Sequence, residues 1–192
     1  RGVLTCESTH KQGMETRKTT EPTIDGTPRE EWFAAAVETY AEPLYWHIRR
    51  MVVRHDEAQD LMQEMWLRAW RSIGSLRGGN GELRPWLYAI ATNLCLSRLK
   101  RKYMWQLVPL EDVGRKLSES LEASTDLDPD SIEVRFQKAL LALPTKQRLV
   151  FNLRYYDELP YAEISRITGM SENTLKTDYH YAQKRIRELM TL

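Results

Sequence analysis

The sequence predicts an all-α fold of two small helical domains joined by an acidic, flexible linker. Apolar residues recur with the helical period over residues 30–105 and again over 131–192. No useful stretch alternates apolar and polar residues with the period of two that strands show. Between the blocks, residues 106–130 are rich in acids and Ser, contain an Asp-Pro pair and lack a sustained period, which is typical of a linker. Residues 1–29 are rich in Thr, Lys, Glu and Gly and are predicted to be a disordered lead-in.

Composition narrows the class of protein before any motif is considered. The 192 residues are 42% hydrophobic and 29% charged, which suits one domain or two small ones. The longest apolar run, residues 86–91, is far too short for a membrane span, and we recognise no secretion leader. Two cysteines, Cys6 and Cys95, form neither a disulfide framework nor a four-ligand zinc site. We therefore expect a cytoplasmic protein without membrane insertion, cofactor or bound metal.

In the first block, a strongly amphipathic helix is predicted over residues 56–70. Its inward face carries Leu61, Met62, Met65, Trp66, Ala69 and Trp70. A second stripe combines polar groups with one exposed leucine: Asp60, Gln63, Glu64, Leu67 and Arg71. A ring of polar groups around an apolar centre resembles a protein contact surface. Two alternatives remain, a solvated helix face and acid–base or metal chemistry at Asp60 and Glu64, although neither His nor a third carboxylate converges on them by sequence.

A further helix of this block is predicted after the glycine-rich loop at residues 75–82. The loop lacks the Gly-Lys-Ser/Thr ending of a nucleotide-binding P-loop. Core candidates in the helix are Trp86, Leu87, Ile90, Leu94 and Leu99, and the displayed basic and amide groups are Arg84, Asn93, Arg98, Arg101 and Lys102. Basic residues beside aromatic rings suit a nucleic-acid single strand, because charge pairs with the backbone and bases stack on rings. Trp86 fits a plain core position at least as well, and Cys95 is expected to be a small buried apolar residue.

Charge is segregated along the chain although the net charge is only +1. Residues 84–103 contain five Lys or Arg and no acid, whereas residues 106–133 contain eight acids and two basic residues. The balanced total therefore hides a basic patch beside an acidic tract. Because a flexible linker fixes no spacing between the two blocks, we expect their surfaces rarely to engage one DNA molecule together.

The second block contains a predicted helix-turn-helix at residues 159–176. Pro160 suits the first turn of a helix, Gly169 suits the left-handed residue that ends it, and Ser171 suits the N-cap of the next helix. Two amphipathic helices separated at Pro144 precede this motif and complete a four-helix unit.

The last helix carries two contrasting faces. Its predicted buried stripe is Leu175, Tyr179, Ala182, Ile186 and Leu189. The opposite face presents donors that can reach phosphates and base edges in a major groove, namely Asn173, Lys176, Thr177, His180 and Lys184. A merely solvated face is the alternative, and the turn geometry before the helix favours DNA binding.

Taken together, the two blocks resemble the extracytoplasmic-function (ECF) group of bacterial RNA polymerase sigma factors. Five segments carry the resemblance: DLMQEMWLRAW at 60–70, WLYAIATN at 86–93, ALLALP at 139–144, YAEI at 161–164 and NTLK at 173–176. Any one of them is weak evidence. Five in the same order, with an acidic linker between the blocks, are specific.

The resemblance implies that residues 30–105 are sigma domain 2, residues 106–130 the linker and residues 131–192 sigma domain 4. It implies that the polymerase β′ subunit is contacted by Asp60, Gln63, Glu64 and Leu67. It implies that the −10 element is bound, with a flipped base held near residues 76–82, by Arg77, Asn80, Arg84, Trp86, Asn93, Arg98, Arg101 and Lys102. It implies that the −35 element is read by Ser171, Asn173, Lys176, Thr177, His180, Tyr181 and Lys184.

On this resemblance the protein is expected to bind core RNA polymerase through β′ and β, recognise promoter DNA and direct transcription initiation. It is expected to catalyse no reaction, and an anti-sigma factor is left open as a further partner. The alternative is a stand-alone helix-turn-helix regulator, which would bind its operator without polymerase. An enzyme is disfavoured because the sequence shows no metal cluster, nucleophile elbow or phosphate loop.

Overall fold

The structure is a computed structural model that describes residues 29–73, 76, 82–104 and 131–191. Within these ranges the chain forms helices and turns without a strand, which confirms the predicted all-α class. The helices are α1 Arg29–Val52, α2 His55–Ser72, α3 Leu83–Met104, α4 Ile132–Leu141, α5 Thr145–Phe151, α6 Tyr161–Thr168 and α7 Glu172–Thr191. The lead-in and the linker of the sequence prediction lie outside the described residues.

Helices α1, α2 and α3 pack around one another and form the N-terminal domain. Of the predicted inward face of α2, Leu61, Met65 and Ala69 are buried. The larger Met62, Trp66 and Trp70 of that face are only partly buried. The turn between α1 and α2 ends with Arg54, whose guanidinium binds both carboxylate oxygens of Asp56 at 3.0 and 2.6 Å. This pairing lowers the pKa of Asp56 to about 2, so a negative charge stays at the N-terminus of α2, where the helix dipole favours it.

Helices α4 to α7 form the C-terminal domain, with a small core of its own that includes Leu143, Phe151, Ala182 and Ile186. The predicted break at Pro144 is confirmed, because α4 ends before it and α5 begins directly after it. A π-helical turn, Asn152–Tyr156, continues α5 and was not foreseen from the sequence. It ends at Asp157, whose side chain is almost completely buried.

The two domains pack directly against each other, which differs from the sequence expectation of surfaces without fixed spacing. One hydrophobic cluster contains residues of both domains, including Leu87 and Leu94 from α3 and Leu153, Ile164 and Ile167 from the C-terminal domain. Helix α3 makes the most extensive helix–helix contact between the domains, with α6. Apolar periodicity predicted the buried faces of α3 and α6, but it does not reveal what covers a buried face.

Within the described ranges, none of the helices is long and apolar enough to cross a membrane.

Candidate nucleic-acid interface

The turn between α6 and α7 has the geometry that the sequence predicts for a helix-turn-helix. Gly169 ends α6 in the left-handed region with φ of +72°, and its amide donates to the Ser165 carbonyl at 2.8 Å. Ser171 then caps α7, because its hydroxyl accepts from the Thr174 amide at 3.2 Å. Pro160 lies one residue before α6, at its N-cap, instead of within its first turn. These contacts fix the angle at which α7 leaves the turn.

Helix α7 presents an open polar face to its surroundings. Of the predicted buried stripe, Leu175, Ala182 and Ile186 are buried and anchor the helix, whereas Tyr179 and Leu189 are only partly buried. All seven residues expected to read the −35 element are exposed, namely Ser171, Asn173, Lys176, Thr177, His180, Tyr181 and Lys184. A helix that is buried along one side and exposes hydrogen-bond donors on the other side fits into a major groove.

Tyr161 on α6 is a supporting residue that the sequence analysis missed. The Lys176 ammonium lies 5.7 Å from the centre of its ring, and the Arg154 guanidinium lies 5.2 Å from it on a different element. Cations near an aromatic ring are attracted to its electron-rich face. Tyr161 therefore helps to position Lys176 at the N-terminal end of the recognition helix.

The expected single-strand surface on α3 is only partly open. Asn93 and Arg101 are exposed, whereas Trp86 and Arg98 are half-buried. Trp86 also packs against the shared core, which supports its core role, although the residue is only partly buried. The expected residues Arg77 and Asn80 lie outside the described residues.

Two cations of this surface carry ion pairs, in contrast to the sequence expectation that they are simply displayed. The Lys102 ammonium lies 2.6 Å from the Glu57 carboxylate of α2. The Arg84 guanidinium binds Glu163 of α6, with Nε 2.9 Å from Oε2. Periodicity places these cations on an outer face but does not show which acids approach them.

Between these cations on the same helix lies Cys95, which is fully buried. Burial raises the pKa of its thiol to about 12, so the group is a neutral core thiol, as the sequence analysis expected.

The polar stripe on α2 is exposed around its central leucine. Leu67 exposes 54% of its surface, and Asp60 and Gln63 are exposed beside it. Glu64 accepts a 2.6 Å hydrogen bond from Arg68 one turn along. In the part of the chain that the structure describes, no three His, Cys, Asp or Glu side chains are grouped to hold a metal ion. The arrangement has the form of a contact surface.

An all-α chain whose second domain ends in a helix-turn-helix with an exposed polar face on its second helix has the architecture of a DNA-binding transcription protein. Comparison with known proteins identifies the family more specifically than the fold does. Residues 36–103 match Sigma-70 region 2, and residues 133–186 match Sigma-70, region 4.

Curated relatives agree with these family matches. ECF RNA polymerase sigma factor SigW of Bacillus subtilis is 33% identical over 164 residues, which cover 81% of this chain and 87% of SigW. ECF RNA polymerase sigma factor SigG of Mycobacterium tuberculosis is 34% identical over 161 residues, covering 72% of this chain and 43% of that longer protein. The chain therefore belongs to the ECF RNA polymerase sigma factors.

Among solved structures, the sigma factor RpoE from Bartonella quintana, in complex with the anti-sigma factor NepR, has the same fold. The TM-score is 0.64 at 23% sequence identity, over 83% of this chain and 97% of RpoE.

As a sigma factor, the protein binds core RNA polymerase and promoter DNA and directs transcription initiation. The stand-alone regulator is not favoured, and sigma factors are not a class of enzymes.

Proposed function

We propose that the two domains divide promoter recognition between them. Residues 30–105 bind core polymerase and engage the −10 element, residues 131–192 read the −35 element, and residues 106–130 link the two. The observation that supports this division most is the exposed polar face of α7, which follows the left-handed turn at Gly169. The direct test is transcription in vitro with core polymerase and this protein, followed by sequencing of the transcript 5′ ends. A shared upstream motif at two separated positions supports the proposal, and start sites without such a motif contradict it.

The polymerase contact is proposed to lie on the α2 stripe of Asp60, Gln63, Glu64 and Leu67. An exposed leucine bordered by hydrogen-bonding and charged groups suits a partner with an apolar centre and a basic rim. The stripe points away from the buried face of α2, so altering it leaves the core intact.

Charge reversal tests this contact. The variant D60K/E64K is expected to weaken binding to core polymerase about tenfold, or about 1.4 kcal/mol, because acids that face a basic rim are replaced by cations. The matched control is E31K/E38K, which makes the same change in net charge at exposed positions of α1. Unchanged affinity of D60K/E64K in a core pull-down would contradict the assignment, provided that circular dichroism shows an intact fold.

The −10 contacts are proposed at Arg84, Trp86, Asn93, Arg98, Arg101 and Lys102 on α3, together with Arg77 and Asn80, which precede α3 in the sequence. The exposed Asn93 and Arg101 support this surface most directly. Half-buried Trp86 and Arg98 lie on the same helix, so a ring and cations are available to one strand.

The protein is proposed to act in the cytoplasm, where core polymerase meets the chromosome, and to catalyse no reaction itself. A further partner is proposed because RpoE was solved with the anti-sigma factor NepR. By that likeness, an anti-sigma factor would hold this chain away from polymerase. Purification of the tagged chain from its own cells, followed by mass spectrometry, tests both partners at once.

A further inference from the structure

One large apolar side chain lies on the reading face of α7, defined as Asn173, Lys176, Thr177, His180, Tyr181 and Lys184. Tyr181 exposes 53% of its surface, and of the large apolar side chains that are exposed in the described residues it alone lies on α7. The other members of the reading face carry groups that hydrogen-bond through nitrogen or oxygen. The Tyr181 ring therefore adds an apolar element to a face that otherwise recognises polar groups.

The ring is in line with two polar members of the same face. Thr177 precedes Tyr181 by four positions and Lys184 follows it by three, so the three side chains lie along one row of the helix. Directly behind this row, Ala182 and Ile186 are buried in the core of the C-terminal domain. The core thus fixes the direction of the row, and Tyr181 reaches the same groove as Thr177 and Lys184.

The surroundings of the ring leave room for a base edge. With Pro144, Gln147 and Lys184, the ring lines a surface groove of about 320 Å³. The ring of His180 approaches it edge-on, with 6.0 Å between the ring centroids. This contact limits the orientations of the Tyr181 side chain, which reduces the conformational entropy that is lost when the side chain binds.

Major-groove chemistry narrows what an apolar ring can recognise. The edges of adenine, guanine and cytosine present hydrogen-bond donors and acceptors in this groove, whereas thymine also presents its 5-methyl group. Apolar side chains distinguish thymine from the other bases through contact with that methyl group. The neighbouring Lys184 can hold a phosphate, which positions the helix but selects no base.

We propose that Tyr181 is a specificity-determining residue, whose ring selects a thymine of the −35 element by contact with the 5-methyl group. The inference rests on the proposed function, because it takes α7 to be the helix that reads the −35 element. It goes further by naming the chemical group that the DNA must carry at the position of Tyr181. The tyrosine hydroxyl is not needed for this selection, since the contact is made by the ring.

Removal of the methyl group from the DNA tests the contact. Once mapped transcript 5′ ends have identified a promoter, each thymine of its −35 element, on either strand, is replaced in turn by deoxyuridine, which lacks only the methyl group. Binding of the protein with core polymerase is measured by competition against the unmodified promoter. At one position the substitution is expected to lower the affinity about fourfold, or about 0.8 kcal/mol, as for one buried methyl group. A −35 element without thymine, or one in which no deoxyuridine lowers the affinity, would overturn the proposal.

Variants of Tyr181 identify the side chain that reads the methyl group. Y181A is expected to bind the thymine and deoxyuridine promoters equally, because the ring is missing. Y181F keeps the ring and is expected to retain the fourfold preference for thymine. The control Q183A truncates an exposed side chain of α7 outside the reading face and should also retain the preference. Persistence of the preference in Y181A, or its loss in Y181F, would overturn the proposal; Y181Q takes the place of Y181A if that variant loses helicity by circular dichroism.

Failure of this inference and failure of the proposed function give different results. If α7 does not read the −35 element, base-pair changes throughout that region leave the affinity of the wild type unchanged, and both proposals fall. If base-pair changes lower the affinity but deoxyuridine does not, the proposed function stands and the selection of thymine by Tyr181 is wrong. An equal loss for Y181F and Y181A on every promoter would show that the hydroxyl binds a phosphate, which also overturns the selective contact.

Discussion

Replacement of Gly169 by Ala isolates the cost of one backbone conformation in the helix-turn-helix. The residue has φ of +72°, and a Cβ atom built there meets nothing within 4 Å. Steric contact therefore contributes nothing, and the left-handed backbone alone costs an L-residue about 1–2 kcal/mol. The smaller conformational entropy of Ala in the unfolded chain returns about 0.4–1 kcal/mol. The free energy of unfolding is thus expected to fall by about 1 kcal/mol.

Urea unfolding followed by circular dichroism measures this loss by linear extrapolation. Gly169→Asn is the matched variant, because Asn tolerates the left-handed region and should lose less than half as much as Ala. Run-off transcription at saturating protein should be unchanged for both variants, since a Cβ pointing into open space does not move α7. A loss above about 3 kcal/mol, or equal losses for Ala and Asn, would show that the reasoning from φ is wrong.

Four further predictions follow from the sites and the burial pattern. Lys176→Ala is expected to weaken promoter binding by about 1–3 kcal/mol if the ammonium contacts a base. Run-off transcription on a panel of −35 variants distinguishes a base contact from a phosphate contact, because loss of a phosphate contact lowers transcription equally on all variants. Unchanged transcription would remove Lys176 from the interface. The free protein is expected to bind duplex DNA weakly because its net charge is only +1, and this binding should be sensitive to salt because it depends on Lys and Arg contacts to phosphates. Tight sequence-specific gel shifts at physiological salt would contradict this expectation. In a Cys6→Ser background, the buried Cys95, with a pKa of about 12, should resist thiol reagents at pH 8 until urea unfolds the chain, and rapid labelling of the native protein would refute its burial. Burial, and secondarily the charge of Asp157, raises the pKa of Tyr88 above its usual 10. The folded state then keeps a proton that the unfolded state releases, so the free energy of unfolding should decline above about pH 10 by up to about 1.4 kcal/mol per pH unit. In the Tyr88→Phe variant this free energy should decline less steeply with pH. Equal slopes for the variant and the wild type would contradict the raised pKa of Tyr88.

Most of the fold and of the recognition helix could be predicted from the sequence, because both depend on local rules. The turn at Gly169 and the cap at Ser171 follow from backbone preferences of single residues, and the exposed face of α7 follows from the helical period. Leu61, Met65 and Ala69 were recognisable as core in the same way. Five ordered segments then indicated the ECF family, which the curated relatives confirm.

Only the tertiary structure decided how the two domains lie and which charges meet. Periodicity shows that one face of α3 and one face of α6 are buried, but not that each covers the other. Arg84 and Glu163 are 79 positions apart, and His47 and Asp157 are 110 apart, so no local pattern relates them. The π-helical turn that precedes Asp157, the partner of His47, was also not predicted from the sequence. The physical reason is that helix formation is encoded within a few residues, whereas the pairing of helices and of charges depends on the path of the whole chain.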